Sequence, residues 1–459
     1  MMIPRTFPKG GIQPDDHKEL TRGQPLWNAA VPPVAVVPML QHAGKAANPT
    51  VSAGDRVREG MVIGKATGRV SANVHAPIPG SVREIREQTL PDGRSAPAVV
   101  IELSGEFEKL GKRQNPAAWR HLKSASILSR MRSMGVVGLG YRGLPLHVKY
   151  GAVEEPPEYL LINGAESEPY LSGEHRLMLE QPEAVITGIA VAARVLGPER
   201  VLIGIETNKR DAIRSLRREI ARQELSFEVV PLRVKYPQSD EKQLVKALTG
   251  REVPSDRSTR EVGAVVSCVA TVHAMYEALL LEKPLVERVI TVSGGAVAAP
   301  TNVKVRLGTS LRLVLQECGG LKEQPAKIVV GGPMRGQAVQ DLDTPITKNW
   351  GAILALTAAE VGSAPEQPCI QCGQCTRACP IGLEPERLYK LVLQERYEEA
   401  ARDGLFDCTE CGACGYVCPS NIPLVETLRN GKAQARAQGI GDAGHGASES
   451  KSGKGVGAP

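Results

Sequence analysis

The chain has 459 residues, a formal net charge of +6, 42% apolar residues and only 3% aromatic ones. That length fits about three domains of ~150 residues. The positive charge is dispersed rather than gathered on one face with aromatic partners, which excludes a nucleic-acid role and leaves at most a weak attraction to an anionic membrane surface or an acidic protein.

No apolar run reaches the ~18 residues that a membrane span needs. The start M-M-I-P-R-T-F-P-K-G-G has no apolar signal core. The expectation is a cytoplasmic protein whose cysteines stay reduced unless they hold metal. Residues 30–87 then read as a small all-β module. Short apolar runs at 34–37 and 61–64 alternate with the glycine and aspartate turns of G-D-R-V-R-E-G and A-P-I-P-G-S-V. This arrangement resembles the lipoyl/biotinyl-carrier barrel-sandwich. Carriers of that kind present a modifiable lysine at a hairpin tip, and the corresponding turn 70–74 has none, so the module reads as structural or docking.

Residues 116–250 alternate between helix and strand. Helices are expected at 124–134, 174–195 (interrupted by Pro182), 209–222 and 240–249, the last capped by Ser239 or Asp240. Strands are expected at 159–163, 201–205 and 227–232. This order predicts a parallel, Rossmann-like sheet with ligands at the carboxyl ends of its strands. Two loops there carry suitable groups, N-G-A-E-S-E-P at 163–169 and K-Y-P-Q-S-D-E at 235–241. Ahead of them, Gly138, Gly140 and Gly143 match G-x-G-x-x-G. A helical stretch precedes that match and Pro145 follows it, so it reads as a loop that lets backbone approach a cofactor phosphate or ring, not as a Rossmann fingerprint.

Residues 286–345 return to β structure around a short helix at 311–318, and Cys318 within it reads as a small core residue. The run ending in G-G-P-M-R at 331–335 resembles a β-grasp module of the soluble-ligand-binding type.

Next comes C-I-Q-C-G-Q-C-T-R-A-C-P, and after a helix-like spacer C-T-E-C-G-A-C-G-Y-V-C-P. Three cysteines two residues apart, a fourth after three more and then proline, twice over, is the bacterial ferredoxin run for two 4Fe–4S clusters. A zinc ribbon needs only four cysteines, and a disulfide framework needs export. In two-cluster ferredoxins the cysteine before proline ligates the other cluster. The expected ligand sets are therefore Cys369, Cys372, Cys375 and Cys418 for one, and Cys408, Cys411, Cys414 and Cys379 for the other. The spacer, 384–405, is expected to be a helix with a stripe of Leu388, Tyr389, Val392 and Leu393. The residues after 430, rich in Ala, Gly, Ser and Lys, read as a disordered tail. The expected division is 1–115, 116–285, 286–358, 359–430 and 431–459.

The order of these motifs over residues 3–430 is similar throughout to the RnfC (RsxC) family of the Rnf electron-transport complex, and its centre resembles the flavin subunit of respiratory complex I. The resemblance implies a peripheral, NADH-oxidising subunit on the cytoplasmic face of the plasma membrane. It would take electrons through FMN into the clusters, with membrane subunits as partners that drive reduction of ferredoxin or flavodoxin. It also implies that Gly138, Gly140 and Gly143 meet the flavin and that Lys149 pairs with its phosphate. Asn163, Glu166, Ser167 and Glu241 would bind flavin or nicotinamide, with Glu168 as the candidate catalytic residue.

The sequence departs from the family's usual G-x-G-G-A-G-F-P-T at Tyr141, Arg142, Leu144 and Leu146. It departs from the usual Asn-Val-Gly-Thr at Cys268 and Ala270, and from Gly-Gly-Glu-Lys at Ser239 and Asp240. Either the site is re-packed around the same ligands or it has lost one. The alternatives are an iron–sulfur scaffold with a vestigial flavin site and a flavoprotein resembling a cobalamin reductase.

Overall fold

The computed structural model describes residues 3–107, 110–111, 118–140, 143–255, 257–362 and 364–441. The chain forms two compact units, one of Met1–Arg5, Pro14–Val234 and Gly263–Ser363, the other of Thr6–Gln13, Lys235–Val262 and Ala364–Pro459. The segment expected as a single flavin domain is thus shared between them.

In the first unit the barrel-sandwich joins a four-stranded antiparallel sheet to a three-stranded one. The larger sheet runs Val34–Pro38, Ser95–Leu103, Gly80–Thr89, Arg56–Val57. Inward residues such as Val37, Ile63, Ile78 and Ile101 are fully removed from water, as the alternation of the strands requires. The β module extends past the expected residue 87, because Ser95–Leu103 pairs with both Val34–Pro38 and Gly80–Thr89. The local signal for this hairpin is the D-G turn at 92–93, where Gly93 has φ +79°.

The α/β layer has four parallel strands in the order Glu228–Leu232, Arg200–Glu206, Tyr159–Gly164, Ala264–Cys268. Three match the expected strands. Ala264–Cys268 has no counterpart among them, because its run G-A-V-V-S-C flows directly into the apolar start of a helix. Pro182 divides the long helix into Gly173–Glu180 and Pro182–Leu196, as expected of a residue that can begin a helix but not continue one. The second of these crosses Val269–Leu280 so closely that a Cβ on Gly188 would stand 1.9 Å from the Val272 carbonyl oxygen.

The β-grasp sheet has six strands, ordered Trp27–Asn28, Thr301–Arg306, Glu287–Ser293, Ala352–Leu356, Lys327–Val330, Gln337–Val339. It packs on the helix Leu311–Glu317, and Cys318 is buried in that core as expected.

The second unit is helical. The spacer between the cysteine repeats is two helices, Pro385–Leu393 and Tyr397–Arg402, separated where Glu395 takes φ +55°. Its buried face is Leu388, Leu391 and Val392, spaced i, i+3, i+4, while Leu393 points to water at 61% exposure. The helix Leu424–Ala437 runs past the expected start of the tail. Ala435 is fully buried, and Lys432 donates to the Cys408 carbonyl oxygen, which anchors this turn. Residues 442–459 lie outside the described residues. Among the described residues no helix is long and apolar enough to cross a membrane.

Candidate functional site

In an open parallel sheet the ligand crevice lies where the strand order reverses. Here the chain steps outward from Tyr159–Gly164 through Arg200–Glu206 to Glu228–Leu232. It then returns to the opposite side of Tyr159–Gly164 as Ala264–Cys268, so that Asn163 and Cys268 become register partners. The glycine loop reaches this reversal, because the Leu139 N–H donates to Thr271 Oγ1 (2.9 Å) in the first turn of Val269–Leu280. The loop is a hairpin closed by Gly138 N–H to Leu144 O (2.9 Å) and Leu146 N–H to Val136 O (3.1 Å), and it opens into the short helix Leu146–Gly151.

The three glycines differ. Gly143 has φ +58°, and a Cβ there would lie 2.4 Å from Asn349 Oδ1. A Cβ on Gly138 would meet its nearest neighbour, Leu144 O, at an ordinary 3.5 Å, and one on Gly140 would meet no described atom within 4 Å. Gly140 is exposed, and the described side chains leave the space beside it open, which admits close approach of a bound ring or phosphate. On this observation the loop fits FMN. Tyr141 and Arg142 lie outside the described residues. Leu146 is turned wholly into the α/β core and Leu144 is half-buried. Lys149 is half-buried in the last turn of the short helix.

The acidic loop after Tyr159–Gly164 rests on two buried lysines. Lys18 Nζ donates to the carbonyl oxygens of Glu166 (2.9 Å), Glu168 (2.8 Å) and Leu171. Lys209 Nζ donates to Ala165 O (2.6 Å) and pairs with Glu206 (3.5 Å). Burial, with Lys209 nearby, lowers the Lys18 ammonium to about 8. Above these lysines, Asn163 Oδ1 accepts from the Ala165 N–H (3.2 Å) and Ser167 is buried. Glu166, at φ +46°, folds back to accept from the N–H groups of Glu174 (2.7 Å) and His175 (3.3 Å), first-turn donors of Gly173–Glu180 that have no partner within their own helix. Glu168 Oε2 accepts from the Met334 N–H (3.1 Å), and a Cβ on Gly332 would lie 2.1 Å from it. The G-G-P-M-R motif of the β-grasp module thus leaves the room that this carboxylate fills.

The fold gathers Asn163, Glu166, Ser167 and Glu168 on one loop at the crevice that the glycine loop borders. Glu241 is in the other unit. It is the first residue of Glu241–Thr249, behind the N-cap Asp240, whose carboxylate accepts from the N–H groups of Lys242 (3.1 Å) and Gln243 (3.4 Å).

Several residues at the crevice, Cys268 apart, gave no sequence signal. Glu174 Oε1 accepts from the Ala270 N–H (3.0 Å), and burial together with Glu166 raises its carboxyl to about 7. Burial, reinforced by Glu174, pushes the Cys268 thiol up to about 12. Arg288, lowered by burial to about 10, donates to the carbonyl oxygens of Lys348 and, at 3.5 Å, Leu139. Lys348 Nζ donates to Asn73 O (3.0 Å) and Gly135 O (2.8 Å), and the Ala43 N–H donates to Gly143 O (3.0 Å). The barrel-sandwich is therefore docked within this unit at two places, its lysine-less turn against Gly135 through Lys348 and its Ala43 against the glycine loop.

In the second unit Cys379, Cys408, Cys411 and Cys414 line one largely apolar pocket with Leu383 and Leu388. This set joins the last cysteine of the first repeat to the first three of the second. Cys375 and Cys418 pack beside Ile422 and Leu424, while Cys369 and Cys372 are exposed next to Ile370, itself 68% exposed. The two repeats share their turn geometry, with Gln371 and Glu410 both at positive φ and their N–H groups both 3.4 Å from the sulfur two residues back. Among the described residues no three His, Cys, Asp or Glu side chains converge as ligands of a single ion. A cubane makes a different demand, one thiolate for each corner. The four-thiol apolar pocket fits that group.

A flavin-type switch-point crevice and a doubled ferredoxin cysteine run define a flavin and iron–sulfur electron-transfer protein. The pattern of the Nuo51 FMN-binding domain matches residues 131–277, the RnfC barrel sandwich hybrid domain 6–106, the SLBB domain 289–338 and the 4Fe-4S dicluster domain 366–422. The chain is 40% identical over 436 residues to the C subunit of the proton-translocating ferredoxin:NAD(+) oxidoreductase complex of Clostridium ljungdahlii, covering 94% of each chain. It is 38% identical over 427 residues to the C subunit of the ion-translocating oxidoreductase complex of Rhodobacter capsulatus, covering 92% of this chain and 82% of that one. The chain belongs to the RnfC family, the C subunits of ion-translocating oxidoreductase complexes. A chain of an NAD+-reducing [NiFe]-hydrogenase shares the fold, with a TM-score of 0.51 and 17% identity over 72% of this chain and 64% of its own.

Proposed function

We propose that this chain is the peripheral electron-input subunit of an Rnf-type complex on the cytoplasmic face of the membrane. It takes electrons from NADH and passes them through two 4Fe–4S clusters, towards ferredoxin or flavodoxin by way of the membrane subunits. The relative from Clostridium ljungdahlii carries a name written in the opposite direction, from ferredoxin to NAD(+), and the same groups serve either direction. The observation that carries the reading is the pairing of the open Gly140 approach at the switch point with a four-thiol pocket in the same chain. FMN, when bound, exchanges a hydride with nicotinamide and single electrons with iron–sulfur centres.

The protein's own groups supply the rest. Gly138 and Gly140 admit the ring or phosphate, Lys149 offers a cation to the phosphate, and Asn163 and Ser167 offer hydrogen bonds. Glu166 and Glu168 hold the acidic loop in shape through Gly173–Glu180 and Met334. Lys18 and Lys209 fix the loop's carbonyls. Cys369, Cys372, Cys375 and Cys418 take one cluster, and Cys379, Cys408, Cys411 and Cys414 the other.

Protein purified or reconstituted without oxygen tests the proposal by its content of iron, acid-labile sulfide and flavin. The expected result is about eight irons and eight sulfides per chain, from two cubanes, with one non-covalent FMN. A plateau near half that metal content removes the second cluster. Full metal content with no flavin uptake makes the chain an iron–sulfur scaffold fed by a partner.

A further inference from the structure

The two cysteine sets differ in what covers them. Residues Thr6–Gln13 belong to the same compact unit as the cysteine repeats, although more than 350 residues separate them in sequence. They pair with the segment beginning at Lys235: the Ile12 N–H donates to Tyr236 O (2.9 Å) and the Tyr236 N–H to Ile12 O (2.8 Å). Lys235 Nζ donates to Phe7 O (3.0 Å) while lying 4.0 Å from the centre of the Phe7 ring.

This strap lies on the cysteine motif itself. The Gly11 N–H donates to Ala378 O (2.9 Å). Gly10, at φ +58°, comes so close that a Cβ would stand 2.2 Å from Cys379 O. The Lys9 ammonium crosses Gly382, where a Cβ would be 1.9 Å from Nζ. From the paired segment, Tyr236 is buried and its hydroxyl donates to Cys411 O (2.5 Å). The other repeat has a different cover: Cys372, the counterpart of Cys411, is exposed, and its carbonyl accepts from its neighbour Arg377 (3.1 Å).

We propose that the strap Thr6–Gln13 and Tyr236 are positioning elements for the Cys379, Cys408, Cys411 and Cys414 set, and that they raise the reduction potential of the cluster it holds and shield it from solvent. The inference rests on the two-cluster reading with crossed ligation. Its physical basis is the influence of the groups that stand behind the ligands. A cluster gains negative charge on reduction, and a buried O–H dipole aimed at a ligand's carbonyl, with the Lys9 cation close by, favours the more negative state. A rigid backbone clamp also keeps the ligand carbonyl from turning toward water.

The test uses the full chain loaded anaerobically and titrated potentiometrically while paramagnetic resonance follows each reduced cluster. Cys411→Ser identifies the signal of the covered set. In Tyr236→Phe, which keeps the ring and loses the hydroxyl, both signals persist at wild-type metal content. The covered cluster's midpoint moves to a more negative potential and the exposed cluster's does not. In Gly10→Val, which pushes the strap away from Cys379, the covered cluster is lost severalfold faster on exposure to air, while the exposed cluster decays at its wild-type rate. If Gly10→Val does not fold, Tyr236→Phe decides alone. Two wild-type signals whose midpoints both ignore Tyr236→Phe, or both move equally, overturn the inference and leave the two-cluster reading standing. A single wild-type signal overturns that reading and the inference with it.

Discussion

The crevice of the first unit draws its supports from positions as distant as Lys18 and Lys348, whereas both cysteine repeats fit within residues 369–418. The crevice is made of backbone held by buried charge: ammonium groups under the acidic loop, a glutamate returned to a helix start, a carboxylate lodged over Gly332. The cysteine pocket is made of side chains set by short turns with repeated dihedral angles. A site of the first kind loses its shape when a remote support is removed, while one of the second kind loses its contents when a local ligand is removed.

The largest effect expected from that contrast is at the cysteines. Cys379→Ala and Cys411→Ala should each remove the same cluster, halving iron content and abolishing the same paramagnetic signal, although they lie in different repeats. If Cys379→Ala instead removes the signal lost in Cys372→Ala, ligation is within each repeat. Next is Lys18→Met, which leaves three carbonyl acceptors without their donor. At about 1–3 kcal/mol for each buried group left unmade, the first unit should lose on the order of 3 kcal/mol or more in urea unfolding, with cluster content unchanged. A loss under about 1 kcal/mol contradicts the idea that the loop depends on remote charge.

Lys149→Ala should weaken FMN binding by roughly ten- to a hundredfold, the worth of about 1.5–3 kcal/mol for a charge-assisted contact. Unchanged flavin affinity in that variant moves the phosphate elsewhere. The smallest effect is one of pH. Glu174 is raised in the fold from the usual 4.5 to about 7, so the folded state holds its proton more tightly than the unfolded chain. Its contribution is fully present below about 4.5 and is lost as pH rises through about 7. Glu174→Gln, which keeps an acceptor for the Ala270 N–H, should match wild type near pH 4.5 and exceed it by about 1–3 kcal/mol above pH 7. Parallel stability curves across that window contradict the assignment.

The cysteine runs could be read because ligand spacing is local. The strands at 159–164, 200–206 and 228–232 could be read because apolar runs separated by amphipathic helices are local as well. Lys18, Lys209 and Arg288 could not, since nothing near a lysine in sequence shows that three carbonyls will close over it. Ala264–Cys268 escaped because no turn separates it from the next helix. Glu166 and Glu168 were legible as an acidic pair on a ligand-facing loop, but the helix start and the β-grasp backbone that receive them lie at other positions in the chain. The membership of residues 235–262 in the unit of the cysteines likewise depends on tertiary pairing, notably Tyr236 with Ile12 and Cys411.

The most direct test of electron input is rapid mixing of the anaerobic, FMN- and cluster-loaded chain with NADH. Flavin absorbance and the paramagnetic signals of the clusters would be followed in time. The flavin should bleach first and reduced-cluster signals should then appear, at rates that Lys149→Ala lowers through flavin loss and flavin addition restores. Clusters that dithionite reduces but NADH leaves oxidised, in protein holding one FMN per chain, would contradict electron input.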